Sequence, residues 1–119
     1  MTIQRFESGP RMSQAVTYGD MVYLAGQTAN TTVGAGVTAQ TQEILDTIDR
    51  LLALAGSDKS RILQATIYLS DIATFAEMNA AWEPWVSPDN KPARATVEAR
   101  LAGPEYRVEI VVVAVKAAA

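Results

Sequence analysis

The chain contains no cysteine and no histidine. That absence removes disulfide staples, Cys nucleophiles, His general bases, Ser-His-Asp triads and zinc sites built from nitrogen or sulfur ligands. Lysine is also scarce. Lys59, Lys91 and Lys116 all stand in polar or terminal contexts, whereas a Schiff-base lysine needs a desolvated pocket. No apolar run approaches the roughly 18 residues that cross a bilayer. The opening MTIQRFESGP has no apolar stretch behind its charges, so it reads as neither signal peptide nor anchor, and a soluble, cytoplasmic protein is expected. No basic cluster is present. With 10 basic and 13 acidic residues and a net charge of −3, nucleic acid is a disfavoured partner. Gly34-Ala35-Gly36 lacks the third glycine and the strand-to-helix setting of a dinucleotide fingerprint, and nothing resembles a phosphate-binding P-loop. Chemistry is left to carboxylates, arginine, hydroxyls and the backbone.

What is present is a single domain, residues 1–119, with 49% apolar residues and so a sizeable core. Two short strands before Gly19-Asp20 are followed by a firmer one, Met21 to Gln27. Gly26 near its end permits close approach of a ligand or another chain, or simply ends the strand. Thr28 to Val37 reads as a mobile loop of small and polar residues. Thr38 to Ala55 carries Ile44, Ile48, Leu51, Leu52 and Ala55 at helical spacing, with Gly56 as its stop. Arg61 to Ser70 is a strand with Leu63, Ala65, Ile67 and Leu69 on one face. Thr74-Phe-Ala-Glu77 has the spacing of a capping box that starts a second helix, striped by Phe75, Met78, Trp82 and Val86. At that spacing Trp82 and Trp85 read as core before they read as an aromatic binding pair. The terminal Ala-Ala-Ala is expected to fray.

The stretch from Lys91 to Lys116 organises the rest. Its first strand alternates, with Arg94, Thr96, Glu98 and Arg100 opposite Ala95, Val97 and Ala99. Its second has no polar face after Glu109: Ile110 to Val115 are all apolar, as in a strand covered on both sides. A carboxylate at the mouth of such a run is costly to desolvate unless a cation or donors answer it. Arg94 has the fork geometry to answer it, or to bind an acidic ligand beside it; a structural ion pair and two independent strand-end charges remain open. A simple hairpin about Gly103-Pro104 would hold the two about 13 Å apart along the ladder, so a shared site needs another strand order or a second subunit.

The element order β-β-β-α-β-α-β-β predicts an α+β domain with two helices on one sheet face. Two helices cannot cover both sides of the last strand. A second sheet surface must, which predicts a homo-oligomer.

Four segments carry a resemblance to a known family. Ala25-Gly26-Gln27, Phe75-x-x-Met78-Asn79-x-x-Trp82, Pro92-Ala93-Arg94-Ala95-Thr96-Val97-Glu98 and Val108-Glu109-Ile110 with its apolar tail resemble the RidA/YjgF family, in its YoaB-like branch. The resemblance implies a chorismate-mutase-like trimer: helices outside, sheets lining an inner barrel, and ligand clefts between subunits. It implies hydrolysis of reactive enamines and imines to a 2-oxo acid and ammonia without a cofactor. In that reading Arg94 clamps the substrate carboxylate, Thr96 offers backbone groups and Glu109 orients or deprotonates water, with Gly26, Gln27, Asn79 and Met12 lining the substrate. Met12 stands where the family has Tyr, Ala25 where it has Ser and Thr96 where it has Cys, so two hydroxyls leave the cleft. The alternatives are a non-catalytic binding module for small carboxylates and, with no support from charge, an endoribonuclease or translation inhibitor.

Overall fold

The computed structural model describes residues 1–118. Its strands are β1 (Ile3–Ser8), β2 (Ser13–Tyr18), β3 (Met21–Leu24), β4 (Gln27–Thr28), β5 (Ile62–Leu69), β6 (Ala93–Glu98) and β7 (Val108–Val115), and its helices are α1 (Val37–Leu54) and α2 (Phe75–Trp85). All seven strands form one mixed sheet in the order β1-β2-β3-β7-β5-β6, with β4 continuing the β3 side against β7. The α+β architecture with both helices on one face is as expected from the periodicities. No helix among the described residues is long and apolar enough to cross a membrane.

The last strand lies in the middle of this sheet, as its composition requires. Val108, Ile110, Val112 and Ala114 are fully buried against the helices together with Ala65, Ile67 and Leu69 of β5 and Val22 of β3. Truncating a residue such as Ile110 to Ala would cost about 2–5 kcal/mol. The opposite side, Glu109, Val111, Val113 and Val115, is covered by nothing among the described residues and stays half-exposed. Ile3, Tyr18, Tyr23 and Val97 share that side and are each more than two-fifths exposed.

Several local expectations are corrected. No hairpin forms about Gly103-Pro104: β5 intervenes, antiparallel to β7 and parallel to β6, with α2 as the crossover that a parallel pair demands. The third strand is broken in two. Across Ala25-Gly26 the register against β7 advances by one residue, so these two stand against Val111 alone as a β-bulge. A second irregularity at Leu63 turns Ile62 into the core and leaves Leu63 outside, the reverse of strict alternation. The capping box does not form: the Thr74 hydroxyl donates to the carbonyl of Asp71 at 2.6 Å, and no side chain caps α2. Helix α1 does end at Gly56, whose φ of +82° suits the residue; Ser57 N–H donates to Leu52 O at 2.8 Å in a Schellman-type closure. In the alanine tail, Ala117 N–H is tied to Gly56 O at 2.9 Å, and Ala119 lies outside the described residues.

The glycine-bearing loop after β4 is held, not loose. Glu43 on α1 accepts from the N–H groups of Asn30, Thr31 and Thr32 at 2.9–3.0 Å and from the Thr32 hydroxyl at 2.6 Å. Gln40, fully buried, clamps the far end. Its amide N–H₂ donates to Ala35 O and Glu105 O, each at 3.0 Å, and its oxygen accepts from Arg107 N–H at 3.0 Å, so every polar atom of a buried side chain is used. These bonds join the loop before α1 to the loop that leads into β7.

The donors around Glu43, chiefly the Thr32 hydroxyl, lower its pKa to about 2 from the usual carboxylate value of 4.5, against a smaller opposing effect of burial. A depressed folded-state pKa stabilises the fold above the unfolded value, and that contribution is lost as pH falls from about 4.5 to about 2. Glu43→Gln is expected to cost about 1 kcal/mol at pH 7, below the usual range for charge-assisted bonds because solvent reaches the carboxylate. Urea titrations of both proteins at pH 7, 4 and 2.5 check this. The gap should shrink on acidification, whereas a gap independent of pH would exclude the charge as its source.

Candidate functional site

Strand β6 turns its polar side inward. Arg94 is in register with Ala65 and Thr96 with Ile67, both core residues of β5, so these two side chains point toward the helices, while Ala93, Ala95 and Val97 face the uncovered side. The Arg94 guanidinium donates to Asn79 Oδ1 at 2.7 Å. It lies over two aromatic rings of α2, with Cζ 5.6 Å from the Phe75 centroid and 5.3 Å from that of Trp82. Phe75, Asn79 and Trp82 recur at helical spacing on one side of α2, which is why a single helix supplies both the acceptor and the stacking surfaces. Trp82 is therefore core and site wall together; Trp85 packs against it at 5.4 Å and donates from Nε1 to Asp49 at 2.9 Å.

Arg94 makes no ion pair among the described residues. Burial lowers its pKa from the ordinary guanidinium value, and the field of Glu83 partly opposes this; a guanidinium stays charged regardless. Beside it opens a cavity of about 480 Å³ lined by Asn79, Trp82, Glu83, Val86, Lys91 and Arg94, with Pro88 at the rim. A desolvated, unpaired, planar cation at a partly apolar pocket is suited to a carboxylate ligand.

Glu109 belongs to a different cluster. It is in register with Thr28 on one side and Tyr68 on the other, on the uncovered face. Its side chain runs across the bulge: a Cβ placed on Gly26 would lie 3.0 Å from Glu109 Cδ and nearer still to a carboxylate oxygen. The space left by the missing Gly26 side chain is taken by the Glu109 side chain. Gln27 is buried and spends its amide donors inside the chain, on Gln14 Oε1 at 2.9 Å and Ala25 O at 3.0 Å. Thr96 Oγ1 is buried with no hydrogen-bond partner among the described residues. Met12 is half-exposed at the tip of the β1–β2 hairpin, on the opposite edge of the sheet from β6, beside a cavity of about 200 Å³. That hairpin is tied to α1 by Arg50, which meets the Glu7 carboxylate at 2.5 Å.

The structure therefore joins Arg94 to Asn79 and Glu109 to Gly26, but within one chain it does not join Arg94 to Glu109. They lie two strands apart, three residues apart in the β5 register, and on opposite faces, roughly 14 Å between backbones. Among the described residues no three carboxylates gather as a metal site. Phe75 and Trp82 read from the sequence as core and as part of a motif, whereas Glu83 escaped motif reading, although the four-residue spacing of Phe75, Asn79 and Glu83 was the available signal.

Comparison with known proteins fixes the family. The model for Endoribonuclease L-PSP matches residues 2–116. The chain belongs to this family. A RutC family protein of Haemophilus influenzae is 46% identical over 114 residues, covering 96% of this chain and 98% of the relative. The RutC family protein YoaB of Escherichia coli is 43% identical with the same coverage. In three dimensions, a member of the YjgF protein family from Neisseria meningitidis superposes with a TM-score of 0.93 at 48% identity, covering 100% of this chain and 98% of that one. The RidA/YjgF resemblance and the chorismate-mutase-like fold are thereby established.

For this YjgF family member, Gly26→Ala should separate stability from site geometry. The added methyl meets the far end of a flexible side chain, so stability should change by less than about 1.5 kcal/mol while the Glu109 carboxylate is displaced. Thermal melts and a crystal structure of the variant check it. A Glu109 side chain left in place would show that the strand end itself moved.

Proposed function

We propose that this YjgF family protein hydrolyses reactive 2-imino and enamino acids to 2-oxo acids and ammonia, in a site shared between chains of a homotrimer. The observation that carries the reading is Arg94, a partly desolvated guanidinium held by Asn79 and two rings, with no carboxylate of its own, at the mouth of a pocket. The trimer is supported by the uncovered face of β7 and by β6, an edge strand whose apolar side is also open. A neighbouring chain packed there covers Val97, Val111 and Val113 and stands beside Arg94. It thereby supplies the second half of the site that one chain keeps on its other face.

In this mechanism Arg94 takes the substrate carboxylate in a bidentate pair, and Glu109 from a neighbouring chain receives a proton from water as its oxygen bonds to the imine carbon. The proton then passes to nitrogen. The carbon–nitrogen bond breaks as the hydroxyl proton passes to the departing nitrogen, and a 2-oxo acid and ammonia remain. No cofactor is required, because free imines already hydrolyse and positioning alone accelerates the step. Thr96 contributes backbone groups beside the carboxylate.

Light scattering should give three chains per particle, and a stable monomer would sink the shared site. Arg94→Ala and Arg94→Lys should abolish calorimetric binding of 2-oxobutyrate, because a point ammonium lacks the fork. Glu109→Gln should keep that binding but slow single-turnover hydrolysis of an amino-acid-derived imine by about 10²- to 10⁴-fold. Wild-type protein that binds 2-oxo acids without accelerating hydrolysis of several imines would instead establish the non-catalytic carboxylate-binding module.

A further inference from the structure

The Arg94 pocket contains a carboxylate with no assigned role. Glu83 stands one helical turn beyond Asn79, so Phe75, Asn79 and Glu83 form an i, i+4, i+8 row along the side of α2 that meets β6. It lines the same cavity of about 480 Å³ as Arg94 and Lys91. Among the described residues Glu83 has neither a side-chain hydrogen bond nor an ion pair, and it is too far from Arg94 to form one. Its field nevertheless reaches the guanidinium. The pocket thus offers two cations and one carboxylate, none of them paired with each other. A simple anion would gain from Arg94 and Lys91 and lose to Glu83. A molecule carrying both signs on adjacent groups would satisfy Arg94 and Glu83 together.

We propose that Glu83 is the specificity-determining residue of this pocket: it faces the cationic nitrogen of a 2-iminium or 2-ammonium carboxylate whose carboxylate rests on Arg94. The proposal rests on the carboxylate role given to Arg94 above and adds the charge class of the ligand. It also gives the reaction a direction. Hydrolysis turns a zwitterion and water into an anion and an ammonium ion, so Glu83 attracts the substrate's nitrogen and, once that nitrogen has left as ammonium, faces a neutral carbonyl on a negatively charged product. The site then discriminates against its own product by charge alone.

The experiment is calorimetry at pH 7 on the full chain, as wild type, Glu83→Gln, Glu83→Ala and Arg94→Ala, with two stable probes of equal size. These are 2-aminobutyrate, whose ammonium stands in for the iminium charge, and 2-oxobutyrate. Removing Glu83 should weaken 2-aminobutyrate and tighten 2-oxobutyrate, each by about two- to fivefold, the range for a solvent-reachable charge pair. Both Glu83 variants should shift the ratio of the two dissociation constants alike. A ratio that stays constant, or affinities that move together, overturns the assignment. If Arg94→Ala loses 2-oxobutyrate while the ratio ignores Glu83, only the role of Glu83 fails. If Arg94→Ala leaves 2-oxobutyrate unchanged, or wild type binds neither probe, the carboxylate role of Arg94 fails and this proposal with it.

Discussion

One constraint governs the molecule: a strand apolar on both faces has helices for only one of them. Placing β7 at the centre, between β3–β4 and β5, buries its inner row at no cost in unpaired backbone groups. It leaves a broad outer surface of valines, tyrosines and alanines that no segment among the described residues reaches. Everything chemical lies at the boundaries of that surface. Glu109 sits on it, and Arg94 sits just behind it on the edge strand, with its side chain on the helix face.

The same constraint explains how far the residues could be read in advance. Helix α1, its glycine stop and the apolar character of β7 were legible because each depends on periodicity within one segment. The strand order was not, since whether Arg94 and Glu109 share a hairpin depends on β5 inserting between them, a long-range choice with no local signature. Bulges at Ala25-Gly26 and Leu63 were equally hidden, because one extra residue inverts the faces without changing composition. The failed capping box shows local competition: the Thr74 hydroxyl had a nearer acceptor in the preceding turn.

For the site, residue identity was legible and geometry was not. Arg94 and Asn79 meet because of the parallel β5–α2–β6 crossover, which lays the helix over the strand's polar side. The glycine at position 26 was visible as a place of close approach, and the approaching group turned out to be Glu109 itself. Gln27 directs its amide donors to its own sheet. A polar residue at a strand break has backbone and neighbours to satisfy before any ligand.

Gln40 acts as a gauge between two loops. A single buried amide measures the separation of Ala35 from Glu105 and Arg107, and all of its bonds hold only when both loops keep their present lengths. An insertion in either would leave a buried donor or acceptor empty, at about 1–3 kcal/mol each. Loop length, ordinarily the most freely varied property of a fold, is here fixed from inside the helix. Diversification at these two loops must therefore proceed by exchanging side chains, not by changing their length.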